Sequence, residues 1–409
     1  MMDESATNEC DTNECVTNSF ARVRGRVVLF LILTFALSWG FDLAIALTVG
    51  HAAFLELGLA PWSMFVPASV SLVLQLFVFC DSPIHVRRCR DRSILLPISF
   101  LVLTVLYGVV TLLAIAIPSQ GSTFGALGNL LTTLWTLALF TLYGQVGEKG
   151  FRRVGLPLGG CGRGFKIALG VVAFLLAQPA LNLVFGLGVF QGIRERLYGI
   201  ALPPALYPVA LLLALGLAAI GTPLAGLAPT FGEEYAWRGI LQRAWLGHGK
   251  RRAALLVGLV WGVWHWSVVL GGVHTYPPTF PGLLLALIFF ALWGVVQSYA
   301  VFKTGSIWVA AFLHGLVNSV YAFSLTYLVR PMNKVWSFGL GVYGLICLAL
   351  IVLVLFRDPV WQAATDQDLA RAQAYLDPHQ RRSGGARWDT LVCRSHSISS
   401  IMTGQASSA

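Results

Sequence analysis

Two carboxylates and an arginine interrupt a long apolar part of the chain. Glu233 and Glu234 follow an apolar run over residues 205–227, and Arg238 comes four residues after Glu234. A charged side chain at the middle of a bilayer helix costs roughly 2.5–3.5 kcal/mol on insertion scales. Two adjacent carboxylates in an apolar part of the chain are therefore expected to have a functional role and not only a structural one.

The spacing of these charges predicts different roles for them. On a helix Glu234 and Arg238 share a face and can form an ion pair. Glu233 is rotated by about 100° from Glu234. Arg238 can therefore neutralise one carboxylate and leave the other to act on water as a general base.

Two further polar pairs lie on the apolar runs that follow. Trp261 precedes His265 by four residues and should stack on the same side of its helix, and His314 precedes Asn318 by four residues. Each pair alone has a structural explanation, as a packing histidine or as hydrogen bonds between helices. Together with the carboxylates, on three helices in an apolar background, they favour catalysis or transport.

The sequence also limits the types of reaction that these residues could catalyse. It has no Gly-x-Ser-x-Gly nucleophile motif, no cysteine near the polar groups and no His-Glu-x-x-His motif of helix-borne zinc proteases. What remains is amide hydrolysis in the membrane, in which a carboxylate activates water while histidine and asparagine polarise a carbonyl or stabilise the oxyanion. A Zn²⁺ ion held by one glutamate and two histidines is the metal-assisted alternative.

The composition defines the elements that must position these groups. The chain is 56% hydrophobic and 11% charged, with mean hydropathy +0.73, whereas soluble chains carry about 25% charged residues. We therefore predict an all-α, polytopic membrane bundle of about 8–10 transmembrane helices. The apolar runs lie near residues 27–49, 61–80, 94–117, 126–144, 166–190, 205–228, 253–270, 281–302, 306–328 and 336–356.

The charge distribution sets orientation and does not point to nucleic acid. The net charge is +10, but the basic residues are concentrated in alternate short loops, which predicts cytoplasmic N- and C-termini. From these runs and loops we predict five segments. They are a disordered cytoplasmic N-tail (1–26), N-terminal transmembrane helices (27–200), a catalytic helical core (201–330), a last transmembrane helix (331–357) and a soluble, largely disordered C-tail (358–409).

The three motifs, in this order, resemble those of the CPBP family. These are the CAAX proteases and bacteriocin-processing enzymes, often called Abi, and they are related to the type II CAAX prenyl endopeptidases. The motifs are Glu233-Glu-x-x-x-Arg238, an aromatic-x-x-x-His motif ending at His265, and His314-x-x-x-Asn. The resemblance covers roughly residues 205–325. The first motif is similar to the bacterial form, so the expected location is the plasma membrane of a prokaryote.

The resemblance implies a role for each residue. Glu233 would activate the attacking water, and His265 would position that water or the substrate carbonyl. His314 and Asn318 would stabilise the oxyanion, while Arg238 would hold the second carboxylate and order the site. The second motif usually begins with phenylalanine, where this chain has tryptophan, and we expect this difference to change packing more than chemistry.

The resemblance also implies a substrate and a possible cofactor. The expected partner is a membrane-associated or lipidated peptide, such as a prenylated C-terminal CAAX sequence. Older descriptions of the family as metalloproteases imply Zn²⁺ bound by Glu233, His265 and His314, and a metal-free glutamate mechanism is the competing view. The residues alone leave both mechanisms open.

Two other classes of function remain open from the sequence. A proton- or ion-coupled transporter would use intramembrane glutamate and histidine as a relay, and transporters usually carry repeats with polar sites in both halves. Here the N-terminal half has only Asp42 as a clear intramembrane acid, which we interpret as a satisfied packing residue. A non-catalytic, bacteriocin-immunity-type membrane protein would be expected to show a damaged motif, and all three motifs are intact.

Overall fold

Long apolar helices dominate the fold, which we describe from a computed structural model. Among the described residues, eight helices are long and apolar enough to cross a membrane. Two shorter apolar helices occupy the second and tenth predicted runs. The predicted all-α, polytopic membrane fold is therefore confirmed. The described residues are 12–48, 50, 62–89, 91–192, 196–197, 200–272 and 276–362.

The helices follow the apolar runs closely because each run must pair its backbone groups internally in lipid. Numbered in chain order, they are α1 (Thr12–Thr48), α2 (Trp62–Val78), α3 (Arg92–Ala116), α4 (Pro118–Arg153), α5 (Cys161–Val184), α6 (Pro204–Ala225), α7 (227–244), α8 (Lys250–Leu270), α9 (Phe280–Thr304), α10 (Ile307–Leu328) and α11 (Val342–Leu355).

Several helices change their winding along their length. Helices α2, α3, α4 and α6 begin with 3₁₀ turns, and α2, α6, α7 and α10 contain π-helical turns. The 3₁₀ turns are Trp62–Phe65, Arg92–Ile94, Pro118–Gln120 and Pro204–Leu206, and the π-helical turns are Leu74–Val78, Leu217–Gly221, Tyr235–Leu241 and Ser324–Leu328. Two further 3₁₀ turns, Leu246–His248 and Pro359–Trp361, follow α7 and α11.

Four short strands connect helices at one end of the bundle. Strand β1 (Gly188–Phe190) pairs antiparallel with β4 (Val329–Pro331), so the segment after α5 is joined to the segment after α10. Strands β2 (Arg196–Leu197) and β3 (Ile200–Ala201) form a small antiparallel pair before α6.

The first helix begins earlier than its apolar run. It starts at Thr12, so residues 12–26 are helical although the sequence places them in a disordered tail. Adding residues to an existing helix is much easier than nucleating one, and the apolar span provides the nucleus. Residues 1–11 and the predicted tail beyond residue 362 lie outside the described residues.

Helix α7 lies between two hydrophobic cores. Phe231 and Tyr235 belong to the core formed mainly by α2, α3, α4 and the start of α10. Trp237 and Leu241 belong to the core that includes α8, α9 and α11. The two carboxylates of α7 therefore sit at the junction of both cores, where burial excludes solvent.

Helices α8 and α9 approach each other closely through glycine. A Cβ atom on Gly258 would lie 2.8 Å from the backbone Cα of Ala291, and one on Gly294 would lie 2.8 Å from the Cα of Gly258. Small residues at such crossings allow membrane helices to gain van der Waals contact. This contact fixes the position of α8, which carries Trp261 and His265.

Replacing Gly258 by leucine should therefore destabilise the fold. The side chain has no space at this crossing, and overpacking typically costs about 1–3 kcal/mol. Gly170→Leu in α5 is the matched control because a Cβ there meets nothing within 4 Å. Thermal unfolding in detergent should show a lower midpoint for Gly258→Leu alone. Equal midpoints for the two variants would contradict this packing.

Candidate active site

A fully buried ion pair joins Glu234 to Arg238. Nη1 of Arg238 lies 3.2 Å from Oε1 and 3.1 Å from Oε2 of Glu234, and both side chains are 0% exposed. The guanidinium group also lies 4.2 Å from the ring centroid of Trp261, a cation–π distance. The pairing predicted from the four-residue spacing is thus present in the structure.

Glu234 also orients the histidine of the third motif. Nδ1 of His314 lies 3.0 Å from Oε1 of Glu234. A carboxylate paired with arginine accepts hydrogen bonds, so Nδ1 of His314 carries the proton. This leaves Nε2 of His314 as the ring atom that can meet a substrate.

Glu233 has different partners from Glu234. Nε1 of Trp261 donates a hydrogen bond of 2.5 Å to Oε2 of Glu233, while Oε1 has no hydrogen-bond partner among the described residues. The side chain is completely buried. One oxygen is therefore held by the protein and the other is available to a water molecule or a substrate.

His265 faces the same carboxylate. Its Nε2 lies 3.9 Å from Oε2 of Glu233, which is too long for a direct hydrogen bond. Its Nδ1 lies 2.9 Å from the carbonyl oxygen of Trp261, and a carbonyl only accepts, so Nδ1 carries the proton. The other ring nitrogen, Nε2, is thus the one that faces Glu233.

Aromatic rings fix these histidines in place. The ring of Phe290 in α9 stacks on His265 with centroids 3.8 Å apart and an angle of 18°. The ring of Trp261 contacts His265, His314 and Phe290 edge-to-face, at 5.5, 5.3 and 4.6 Å. Trp261 consequently contacts both histidines and Arg238, as well as donating to Glu233.

The local structure of α7 explains why the carboxylates can be so deeply buried. A Cβ atom on Gly232 would lie 2.4 Å from the carbonyl oxygen of Met64, so only glycine allows α7 to pack on the start of α2. Phe231 stacks on Trp308 of α10 with centroids 4.9 Å apart. Directly after Glu234 the helix widens into the π-helical turn that carries Arg238, a feature often found at functional sites.

The structure brings together five of the six predicted site residues. Asn318 lies one turn along α10 from His314, but its side chain is exposed. It therefore lies outside the buried part of the cluster, although its spacing suggested a shared face with His314. The spacing of one helix does not reveal how far a neighbouring helix covers it.

Sequence reasoning missed two contributions to the site. The stacking of Phe290 on His265 had no signal, because Phe290 lies in an apolar run. The hydrogen bond from Trp261 to Glu233 could have been found from the departure from phenylalanine in the second motif. Phenylalanine cannot donate a hydrogen bond, so the structure gives this difference a chemical consequence beyond the packing change that we expected.

The residues implied for zinc do not form a three-ligand site. Among the described residues, no group of three His, Cys, Asp or Glu side chains is arranged to hold a metal ion. Glu233 and His265 approach each other, whereas His314 is directed by Glu234. These three side chains therefore do not converge on one point where a metal ion could bind.

The helices and the buried polar cluster define an integral membrane protein with a candidate hydrolytic centre. Residues 208–320 match the family described as type II CAAX prenyl endopeptidase Rce1-like. This part of the chain, from α6 into α10, is thus similar to a protease family, which confirms the resemblance seen in the motifs. No curated protein and no solved structure matches the chain.

Removing Arg238 should strongly destabilise the protein, since it leaves buried Glu234 without its cation. Breaking a buried pair typically costs about 3–5 kcal/mol. We expect Arg238→Met to lower the unfolding midpoint substantially and the added change Glu234→Gln to restore part of the loss. Thermal unfolding in detergent measures both effects.

The matched control for this pair is Arg152→Met. Arg152 pairs with Glu148 at 2.8 Å with the same four-residue spacing, but both side chains are partly exposed. Such pairs contribute less than about 1 kcal/mol. Similar losses for the exposed and the buried arginine would show that the buried pair does not hold the site.

Proposed function

We propose that this protein is an intramembrane endopeptidase of the CAAX type, which hydrolyses a peptide bond of a membrane-associated substrate. The observation that carries this proposal is the unequal treatment of the two adjacent carboxylates. Glu234 is neutralised by Arg238, while Glu233 keeps Oε1 without a described partner and has its other oxygen, Oε2, 3.9 Å from Nε2 of His265. A general base requires such an oxygen within reach of water.

The proposed reaction uses water as the nucleophile. Glu233 takes a proton from water while the water oxygen attacks the carbonyl carbon, and His265 orients that water. The carbonyl π bond opens to give an oxyanion, which His314, carrying a proton on each ring nitrogen before the reaction begins, stabilises by donating a hydrogen bond from Nε2. The carbon–nitrogen bond then breaks, and the proton held by Glu233 passes to the leaving amine.

Asn318 is assigned to the oxyanion by resemblance. Its exposed position at the edge of the buried cluster supports contact with a bound substrate better than contact with Glu233. Donors that meet the oxyanion only when substrate is bound supply stabilisation where charge develops. We therefore propose that Asn318 completes the site from the side of the substrate.

The proposed substrate is a peptide held at the membrane by a lipid. A lipidated C-terminal peptide is the first candidate, presented from the cytoplasmic side, on which the basic loops of the predicted topology lie. The family match supports a protease of this general type. The proposed location is a prokaryotic plasma membrane with both termini in the cytoplasm.

Replacing Glu233 by glutamine should abolish cleavage. The amide keeps the shape of the side chain but cannot take a proton, and loss of a general base typically lowers kcat by about 10²–10⁴-fold. The purified protein would be incubated in lipid with a lipidated C-terminal peptide and with a mixed membrane-peptide library. Mass spectrometry would detect the products.

The control is Glu148→Gln, which removes a glutamate outside the site and should leave cleavage unchanged. Equal activity of wild type and Glu233→Gln would remove Glu233 from the mechanism. If nothing is cleaved and Glu233→Gln instead abolishes proton-driven uptake, the protein is a transporter.

Chelators test the metal-free form of the proposal. Because the described side chains do not provide a three-ligand site, we expect kcat to stay within about twofold after treatment with a strong zinc chelator. Loss of activity that Zn²⁺ restores would contradict this expectation. It would then support the metal mechanism with Glu233, His265 and His314 as ligands.

A further inference from the structure

The first helix contacts the segment that carries His265. Helix α8 is interrupted at this histidine, with one α-helical part ending at Trp264 and the next beginning at Trp266. The i to i−4 hydrogen bonds from the N–H of His265 to the carbonyl oxygen of Trp261 and from the N–H of Val269 to that of His265 are kept at this point. Helix α1 supplies side chains on both sides of the interruption.

Two hydrogen bonds make this contact. Nε1 of Trp39 donates to the carbonyl oxygen of Trp264 at 3.0 Å. The hydroxyl of Ser267 donates to Oδ2 of Asp42 at 2.6 Å. Trp39 and Asp42 are three residues apart and so lie on one side of α1. The residues immediately before and two after His265 are thus held by α1.

This contact reaches the ring of the histidine. The ring of Trp264 meets the ring of His265 edge-to-face at 4.8 Å, and Phe290 of α9 stacks on His265 at 3.8 Å. The histidine is therefore fixed by α1 through its flanking residues and by α9 through its ring. A displacement of α8 here changes the spacing of 3.9 Å between His265 and Glu233.

Burying the carboxylate of Asp42 in a membrane span costs free energy, and a role in holding α8 would explain why an acid is present there. It is 4% exposed and lies in the apolar span Val23–Thr48, where acidic side chains are rare and tend to mark functional pathways. A hydrophobic residue could fill the same space without that cost. The hydrogen bond to Ser267 gives this acid a definite partner beside the candidate site.

We infer that Trp39 and Asp42 are positioning residues for His265, so that α1 is part of the working site. Both residues lie outside the part of the chain that matches the protease family, residues 208–320. Only the kinetic test of this inference rests on the proposed function. Positions that support a site in this way typically change activity by about 10–100-fold when they are altered.

The kinetic test compares single and double variants. Asp42→Ala and Ser267→Ala should each lower kcat about tenfold and leave KM within about twofold, because substrate contacts are untouched. The effects of the two changes should be less than additive in the double variant, since the hydrogen bond between Asp42 and Ser267 is lost in all three variants. Asp42→Asn, which keeps an acceptor oxygen for Ser267, should restore most of the activity.

A second readout does not depend on activity. Diethylpyrocarbonate modifies accessible imidazole nitrogens, and mass spectrometry can follow His265 separately from exposed His248. Asp42→Ala and Trp39→Phe should each raise the modification rate of His265 about threefold or more, because the ring loses its fixed position. The rate at His248 should not change. Trp39→Phe keeps an aromatic ring and removes only the donor.

Ser69→Ala is the control for loss of any hydrogen bond between helices. Ser69 pairs with Thr104 at 2.9 Å, between α2 and α3 and away from α8. The inference would be overturned if Ser69→Ala changed kcat and His265 modification as much as Asp42→Ala does. It would also be overturned if His265 modification stayed unchanged in Asp42→Ala and Trp39→Phe. If wild type cleaves no peptide, the proposed function fails while the modification rates still decide the positioning role.

Discussion

The candidate site depends on the ion pair that neutralises the buried carboxylate of Glu234. This pairing leaves the neighbouring carboxylate of Glu233 available to act on water. Arg238 is held between Glu234 and the ring of Trp261 with no exposed surface. Two adjacent buried carboxylates without a cation would be expelled or protonated, because desolvation and repulsion both oppose their charge. With one carboxylate paired, the second can be kept beside His265. The ion pair is thus the condition under which the site can exist within a membrane helix bundle.

Trp261 connects this charge pair to the groups proposed for chemistry. Its indole N–H donates to Glu233, its ring face meets Arg238, and its ring makes edge-to-face contacts with both histidines. A single rigid side chain therefore relates the two carboxylates to the two imidazoles. Its own place is fixed by the close glycine crossing of α8 with α9. The hydrogen bonds and ring contacts of Trp261 within the site therefore depend on the packing of α8 against α9.

Much of this structure could be predicted from single stretches of sequence. Apolar runs become helices because lipid leaves no alternative, and the four-residue spacing was enough to pair Glu234 with Arg238. Contacts between helices that are far apart in the sequence could not be predicted from single stretches. Trp261 and Glu233 are 28 residues apart, and Asp42 and Ser267 are 225 residues apart. Periodicity tells which residues share a face but not which helix covers it. For the same reason Asn318 was placed with His314, whereas the structure leaves it exposed.

The most direct test of the account is a single turnover in water labelled with oxygen-18. If Glu233 activates water, one labelled oxygen should appear in the new carboxylate of the cleaved peptide and none in the enzyme. If Glu233 instead attacks the substrate itself, water that opens the resulting anhydride at the Glu233 carbon would place the label in the Glu233 carboxylate of the enzyme. Label in Glu233 after the first turnover would contradict the central claim, and label confined to the product would support it.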